Sequence, residues 1–142
     1  MAYNVVDKKS EMEHQERWLQ MEGCRQSKEA IGEVFDKQKL KGLKNMPRQK
    51  MRNLVSILTG HCRLQRHMQI MGYSDSETCE RCGLESETPE HFMGRCQAYA
   101  GQRLSLLGEA VLDEDRIWKL PWKKLSKFIE STRRLDYDHE DG

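Results

Sequence analysis

Four residues in the second half of the chain have the types and the spacing of a metal site. They form the pattern C-x2-C-x8-H-x4-C and are Cys79, Cys82, His91 and Cys96. A two-residue gap lets one turn present two thiolates, and zinc prefers four sulfur or nitrogen ligands in a tetrahedron. Three thiolates and one imidazole leave no position for water, so we predict one structural Zn²⁺. A disulfide pair and unrelated buried cysteines are the alternatives.

The metal loop is acidic, with Glu85, Glu87 and Glu90 lying between Cys82 and His91. This charge predicts that the loop repels phosphate. Its eight-residue gap is also longer than the gap in compact retroviral knuckles, which carry exposed aromatic residues that stack on unpaired bases. We therefore expect the loop to support the fold rather than to read nucleic acid.

Basic residues are concentrated upstream of the loop, although the net charge is only +1. Residues 37–74 contain nine Lys and Arg residues and no Asp or Glu. Phosphate contacts dominate nucleic-acid affinity, so this basic segment is the predicted surface for RNA or DNA. A solvated face, or a surface that pairs with the acidic loop, is the alternative. The predicted contacts are Lys41, Lys44, Arg48, Lys50, Arg52, Arg63 and Arg66.

The remaining cysteines, Cys24 and Cys62, do not fit the metal spacing, and we predict both to be small buried hydrophobic residues. An odd total of five cysteines and the lack of an apolar run near the N-terminus indicate a reducing intracellular compartment, nucleus or cytoplasm. No apolar stretch reaches the roughly 20 residues that a membrane helix needs, so we expect a soluble chain.

Apolar residues recur with helical periodicity, which predicts a small all-α domain held by one CCHC zinc knuckle. The clearest helix opens at Pro47 and ends at Gly60. Its inward face is predicted to be Met51, Leu54, Val55 and Leu58. Further helices are predicted over 11–22, 26–35 and 63–71, the last with Leu64, Met68 and Met71 inward. Another is predicted after His91, through Tyr99 and Leu104 to Leu107, and a final helix opens at Pro121 with Leu125, Phe128 and Ile129 inward. Residues 37–46 are predicted to be a connector.

Two histidines and three tryptophans admit two interpretations. His61 and His67 could form a second metal site, but a histidine after Gly60 is more typical of a helix end, where its charge complements the dipole. The tryptophans could stack on bases, but their spacing favours half-buried anchors. They are Trp18, Trp118 and Trp122.

Composition bounds the domain organisation. One third of the chain is charged and the mean hydropathy is −0.87, so we expect a small core supported by the metal. We predict N-terminal helices with a basic connector over 1–46, a helical zinc-binding domain over 47–135, and an acidic disordered tail over 136–142.

Several motifs together resemble the zinc-binding region of jockey-like non-LTR retrotransposons, which follows the reverse transcriptase and ribonuclease H domains at the C-terminal end of the polyprotein. The resemblance covers most of the chain. It is carried by Trp18, Cys24-Arg25-Gln26-Ser27-Lys28, Leu58-Thr59-Gly60-His61 to Leu64, His67, Met71-Gly72, Cys79-x2-Cys82-Gly83, Glu87-Thr88-Pro89-Glu90-His91, Cys96, and Leu120-Pro121 to Phe128-Ile129.

The resemblance implies a nucleic-acid-binding accessory module, or a fragment, of a retrotransposon reverse transcriptase, with the four Cys and His residues as zinc ligands. Its partners would be RNA or DNA of the element or of its target. The chain holds no Asp pair between apolar strand residues and no spaced carboxylates for ribonuclease H chemistry, so we expect no enzymatic activity of its own. The alternatives are a protein-interaction module that docks onto the parent polymerase and a decayed remnant.

Overall fold

The computed structural model describes residues 2–32 and 37–136, with side chains described for 9–32 and 38–136. These residues form helices and connecting turns and no strand, which confirms the predicted all-α fold; one isolated bridge joins Thr78 to Ser86. The α-helices are α1 (Ala2–Gln20), α2 (Arg25–Ile31), α3 (Lys37–Lys44), α4 (Arg48–Thr59), α5 (Gln65–Ile70), α6 (Ala100–Leu107), α7 (Glu114–Ile117) and α8 (Trp122–Thr132).

Helices α4 and α8 form the centre of the fold, and each begins directly after a proline as predicted. Gly60 ends α4 with φ of 79°, a left-handed conformation that favours glycine. In α8 the predicted inward residues Leu125, Phe128 and Ile129 are buried. In α4 the buried residues are Leu54, Ile57 and Leu58, whereas Val55, which was predicted to face inward, is exposed.

A cluster of aromatic rings links the π-helical turn that contains Phe92 to α8. The ring centroid of Phe92 lies 5.4 Å from that of Tyr99 and 5.6 Å from that of Phe128. Such edge and tilted arrangements are favourable beyond the area that they bury. Phe92 directly follows His91, so this packing fixes one side of the metal loop against α8.

The prediction of a connector over 37–46 is wrong, because Lys37–Lys44 is helix α3. Gly42 lowers helix propensity by about 1 kcal/mol, but packing against the core outweighs this cost. Leu43 packs against the core cluster, and Nζ of Lys39 lies 5.7 Å from the ring centroid of Trp122. Tertiary contacts with α8 therefore hold Lys37–Lys44, the first part of the basic segment, in a regular helix.

Two single-residue predictions, for Met71 and Cys24, are also wrong. Met71 is exposed because α5 ends at Ile70. Leu104 lies in α6 and is exposed, since its neighbour Arg103 takes the inward position. Cys24 is exposed at the start of α2, whereas Cys62 is buried as predicted.

The N-terminal helices contact the core in places. Trp18 is half-buried, as predicted, and its Nε1 donates to the carbonyl of Gly32 at 3.0 Å. Trp118 and Trp122 are more deeply buried than predicted. Helices α2 and α3 pack on α4 and α8, and the division into three segments stays a prediction. Residues 33–35, at the end of the helix predicted over 26–35, and residues 137–142 of the predicted acidic tail lie outside the described residues.

Candidate metal centre

The structure brings the four predicted ligands together. One ligand atom from each of Cys79, Cys82, His91 and Cys96 lies within 4.8 Å of all the others. The two sulfur atoms of Cys79 and Cys96 are 3.9 Å apart, and Sγ of Cys82 is 3.4 Å from Nε2 of His91. This cluster could hold one metal ion.

A tight turn presents the first two thiols. The amide of Gly83 donates to the carbonyl of Cys79 at 2.8 Å, and Gly83 adopts a φ of 70° that favours glycine. The amide of Cys79 donates to the carbonyl of Glu85 at 2.8 Å, which closes the loop on itself. The amide of Leu84 points at Sγ of Cys82 at 3.5 Å, so the backbone favours a thiolate there.

The other two ligands come from a π-helical turn, His91–Arg95, followed by Cys96 in an extended conformation. The amide of Cys96 donates to the carbonyl of His91 at 2.8 Å. Gly94 lets this turn approach the segment before α7, since a Cβ there would collide with the carbonyl oxygen of Leu112. The amide of Leu112 in turn donates to the carbonyl of Gly94 at 2.9 Å.

Arg103 is fully buried and binds the backbone carbonyls of the π-helical turn. Its guanidinium donates to the carbonyls of Phe92 at 3.1 Å, Met93 at 2.9 Å and Cys96 at 3.1 Å. A fourth bond, of 2.7 Å, reaches the carbonyl of Ala110. Burial lowers the pKa of Arg103, and this effect outweighs the nearby Cys96, which raises it. The carbonyls thus fix the cation beside the ligand cluster, where three thiolates would supply negative charge.

The environments of the thiols differ. Burial raises the pKa of the Cys79 thiol to about 12 and also raises the pKa of Cys96. For Cys82, partial burial raises the pKa, but backbone amides of Leu84 and Glu85 outweigh it and the net shift is downward. Without a metal the two buried thiols therefore favour the protonated form.

Glu85 lies behind the imidazole ligand. Its Oε2 is 3.3 Å from Nδ1 of His91 and 3.2 Å from Nε of Arg95. A carboxylate at the second nitrogen orients a ligating imidazole toward its metal. We predicted that Glu85 repels phosphate. Its carboxylate is paired with the cationic side chain of Arg95, which offsets part of its negative charge.

Glu87 is not a surface charge, because only 1 % of its side chain is exposed. Arg134 donates two hydrogen bonds to the Glu87 carboxylate, from Nε at 3.1 Å and from Nη2 at 2.6 Å. The amide of Gln65 donates a third, at 2.8 Å. Its Oε2 is 3.6 Å from Sγ of Cys79. Glu90 is also buried. Glu87 and Glu90 therefore add no exposed charge to the loop, and the expectation that the loop repels phosphate stays a prediction.

The seven basic residues predicted to contact nucleic acid fall into different settings. Nζ of Lys50 is 3.1 Å from Glu130 on α8, and Arg66 pairs with Glu77. Arg63 is exposed, and its carbonyl accepts a bond from Arg134. The remaining four are exposed and form no ion pair with any described residue: Lys41, Lys44, Arg48 and Arg52.

Sequence reasoning missed Arg103 and Arg134. Arg103 follows Tyr99 and precedes Leu107 by four residues, so helical spacing places all three on one face, and this signal could have found it. Arg134 meets Glu87 across 47 positions, and no local pattern indicates such a pair. His61 and His67 have ring centroids 5.0 Å apart but join no metal-ligand cluster within the described residues.

Among the helices that the structure describes, none is long and apolar enough to cross a bilayer. Comparisons with protein-family models, with curated proteins and with solved structures give no match to this chain.

Proposed function

We propose that the metal is Zn²⁺ and that its role is structural. A tetrahedral zinc with Zn–S near 2.3 Å and Zn–N near 2.05 Å requires S···S and S···N edges of about 3.8 and 3.6 Å. Two of the edges here, Cys79–Cys96 and Cys82–His91, measure 3.9 and 3.4 Å, and all four ligand atoms lie within 4.8 Å of one another, so these distances support a tetrahedral ion at the centre of the cluster. The four protein ligands complete the coordination shell, which leaves no position for a substrate.

We further propose that the chain is a nucleic-acid-binding accessory module of a non-LTR retrotransposon reverse transcriptase, with no catalytic activity of its own. The observation that carries this proposal is the exposed basic surface of α3 and α4. Arg48 and Arg52 lie one turn apart on α4, opposite the buried residue Leu54. Guanidinium groups bind phosphate with two parallel bonds, and lysines add mobile point charges.

A binding assay over a salt series tests this function. Zinc-loaded chain is titrated with labelled RNA and DNA, and the slope of log K against log salt counts the phosphate contacts. Replacing Lys41, Arg48 and Arg52 by Gln should lower affinity for all sequences and flatten the slope by about 2.1 to 2.7 in total. The matched control replaces the exposed residues Lys119, Lys123 and Lys127, which removes the same charge elsewhere.

The control variant should keep the slope of the parent chain. Equal flattening in both variants would mean that only net charge matters and would contradict the assignment of this surface. If the parent chain binds neither RNA nor DNA, the nucleic-acid function is wrong, and docking onto the parent polymerase becomes the better explanation.

A further inference from the structure

An apolar groove lies beside the basic face of α4. It has a volume of about 590 Å³ and runs between α4 and the chain around α5. Its apolar wall includes Met51, Val55, Met68 and Met71. Pockets of about 300 to 1,000 Å³ are of the size that takes small molecules, and the volume of this groove falls within that range.

The charge of the groove is one-sided. The described residues that line it include Arg52, Arg63 and two histidines, but no Asp or Glu. A second groove meets the first along Arg63, Met68 and Tyr73, and it adds Arg81 from the metal loop. Glu80 is the one carboxylate among the described residues of this second groove. A polyanion that follows both grooves therefore meets Arg52, Arg63 and Arg81.

Tyr73 stands on the ridge between the two grooves. Tyr73 is 75 % exposed, although a large aromatic side chain is usually at least partly buried in a folded chain. Its backbone is fixed, because its amide donates to the carbonyl of Met68 at 2.9 Å and Gly72 turns the chain with φ of 83°. An exposed ring on a fixed backbone, between cationic grooves, matches the platforms on which unpaired bases stack.

We propose that the groove beside Tyr73 binds single-stranded RNA or DNA, with one unpaired base packed on the tyrosine ring and the flanking phosphates near Arg52 and Arg81. A duplex cannot use this site, because its bases are stacked inside and expose only their edges. This inference rests on the proposed nucleic-acid function and adds the form of nucleic acid and the place where a base is held.

The test compares a labelled single strand with its blunt duplex, by fluorescence anisotropy on the full zinc-loaded chain at one salt concentration. The parent chain should bind the single strand more tightly. Tyr73→Ala should weaken single-strand binding about 5- to 150-fold, the range for loss of one base–aromatic stack, and leave duplex binding unchanged. Tyr73→Phe, which keeps the ring, should bind like the parent. Zinc content and tryptophan fluorescence confirm that each variant is folded.

An abasic probe gives a second, independent readout. Removing the base that meets the ring should weaken binding to the parent chain but not to Tyr73→Ala. Single-strand affinity that is the same in Tyr73→Ala and the parent, or that falls equally for strand and duplex, overturns the inference.

Another occupant would give a different pattern. The acidic segment 137–142 could fill the groove, since Leu135 lines it. In that case Asp138→Asn, Glu140→Gln and Asp141→Asn together would raise affinity while Tyr73→Ala has no effect, which overturns our assignment. Salt-dependent binding that is lost with Lys41, Arg48 and Arg52 but is insensitive to Tyr73 leaves the proposed function standing and removes this inference alone.

Discussion

The buried pair of Glu87 and Arg134 should contribute far more to stability than any exposed ion pair of the chain. Exposed fractions are 1 % for the Glu87 side chain and 16 % for that of Arg134. Arg134→Met keeps most of the aliphatic volume but leaves the carboxylate buried without its cation, 3.6 Å from Sγ of Cys79. Removing one partner of a buried pair costs about 3 to 5 kcal/mol, and we expect a value near 3 because one edge of the pair is open to water.

Urea unfolding measures this cost. Fluorescence of the buried residues Trp118 and Trp122 reports on the core, and the free zinc concentration is held constant because metal binding adds to the apparent stability. The matched control is Arg116→Met, whose pair with Glu109 is exposed by 58 % and 37 %. Such surface pairs contribute about 0 to 1 kcal/mol.

A double-mutant cycle isolates the interaction itself. Glu87→Gln keeps an acceptor for the amide of Gln65 and removes the charge, so it should rescue part of the loss caused by Arg134→Met. We expect a coupling free energy of about 1 to 3 kcal/mol between the two positions. If Arg134→Met costs no more than Arg116→Met, or if the two changes are additive, the pair is not a structural link and this reasoning is refuted.

Four further predictions concern the metal centre, the backbone around it and enzymatic activity. Native mass spectrometry should find one zinc per chain, lost in Cys79→Ser and kept in Cys24→Ser; no zinc or two would contradict the ligand set. Burial raises the pKa of Cys79 to about 12 and raises that of Cys96, so zinc binding must displace at least these two protons. Competition with a chelator should therefore show the logarithm of the zinc affinity rising by about 2 or more per pH unit between pH 6 and 8. An affinity that does not change with pH would mean that the thiolates are already formed. Gly94→Ala should cost about 1 to 3 kcal/mol in urea unfolding, whereas Gly101→Ala, in a helix with open space around it, should stabilise by about 0.5 to 1 kcal/mol; equal effects would contradict the close approach. Polymerase, nuclease and hydrolase assays on the purified chain should be blank, and activity that co-purifies with the folded protein would contradict the absence of a catalytic set.

Local spacing was enough to predict the ligand set and the two central helices. The C-x2-C gap describes one turn, and Pro47 and Gly60 mark helix ends through their own backbone preferences. The prediction failed where packing decides between alternatives. Residues 37–46 contain Gly42 and resemble a connector, but Lys37–Lys44 is a helix that packs against α8. Burial of Glu87 depends on Arg134, and no periodic pattern links positions so far apart.

The same pair links the metal loop to the segment that leads into α5. Arg134 donates to the carbonyl of Arg63 as well as to Glu87, and Glu87 accepts from the amide of Gln65 at the first residue of α5. One buried ion pair thus joins the loop at Cys79 to the segment that leads into α5. That segment is followed by the ridge of Tyr73, where we place the unpaired base.

Metal removal should therefore act on the proposed binding site from a distance. Without the ion, the thiols of Cys79 and Cys96 favour the protonated form and the four ligands lose their shared bond to the metal, so we expect the anchor of α5 to loosen. Arg48 and Arg52 lie on α4, which packs against α8 and α2. We infer that the zinc-free chain would lose its preference for single strands before it loses its salt-dependent attraction to phosphate, which separates the two surfaces by their dependence on the metal.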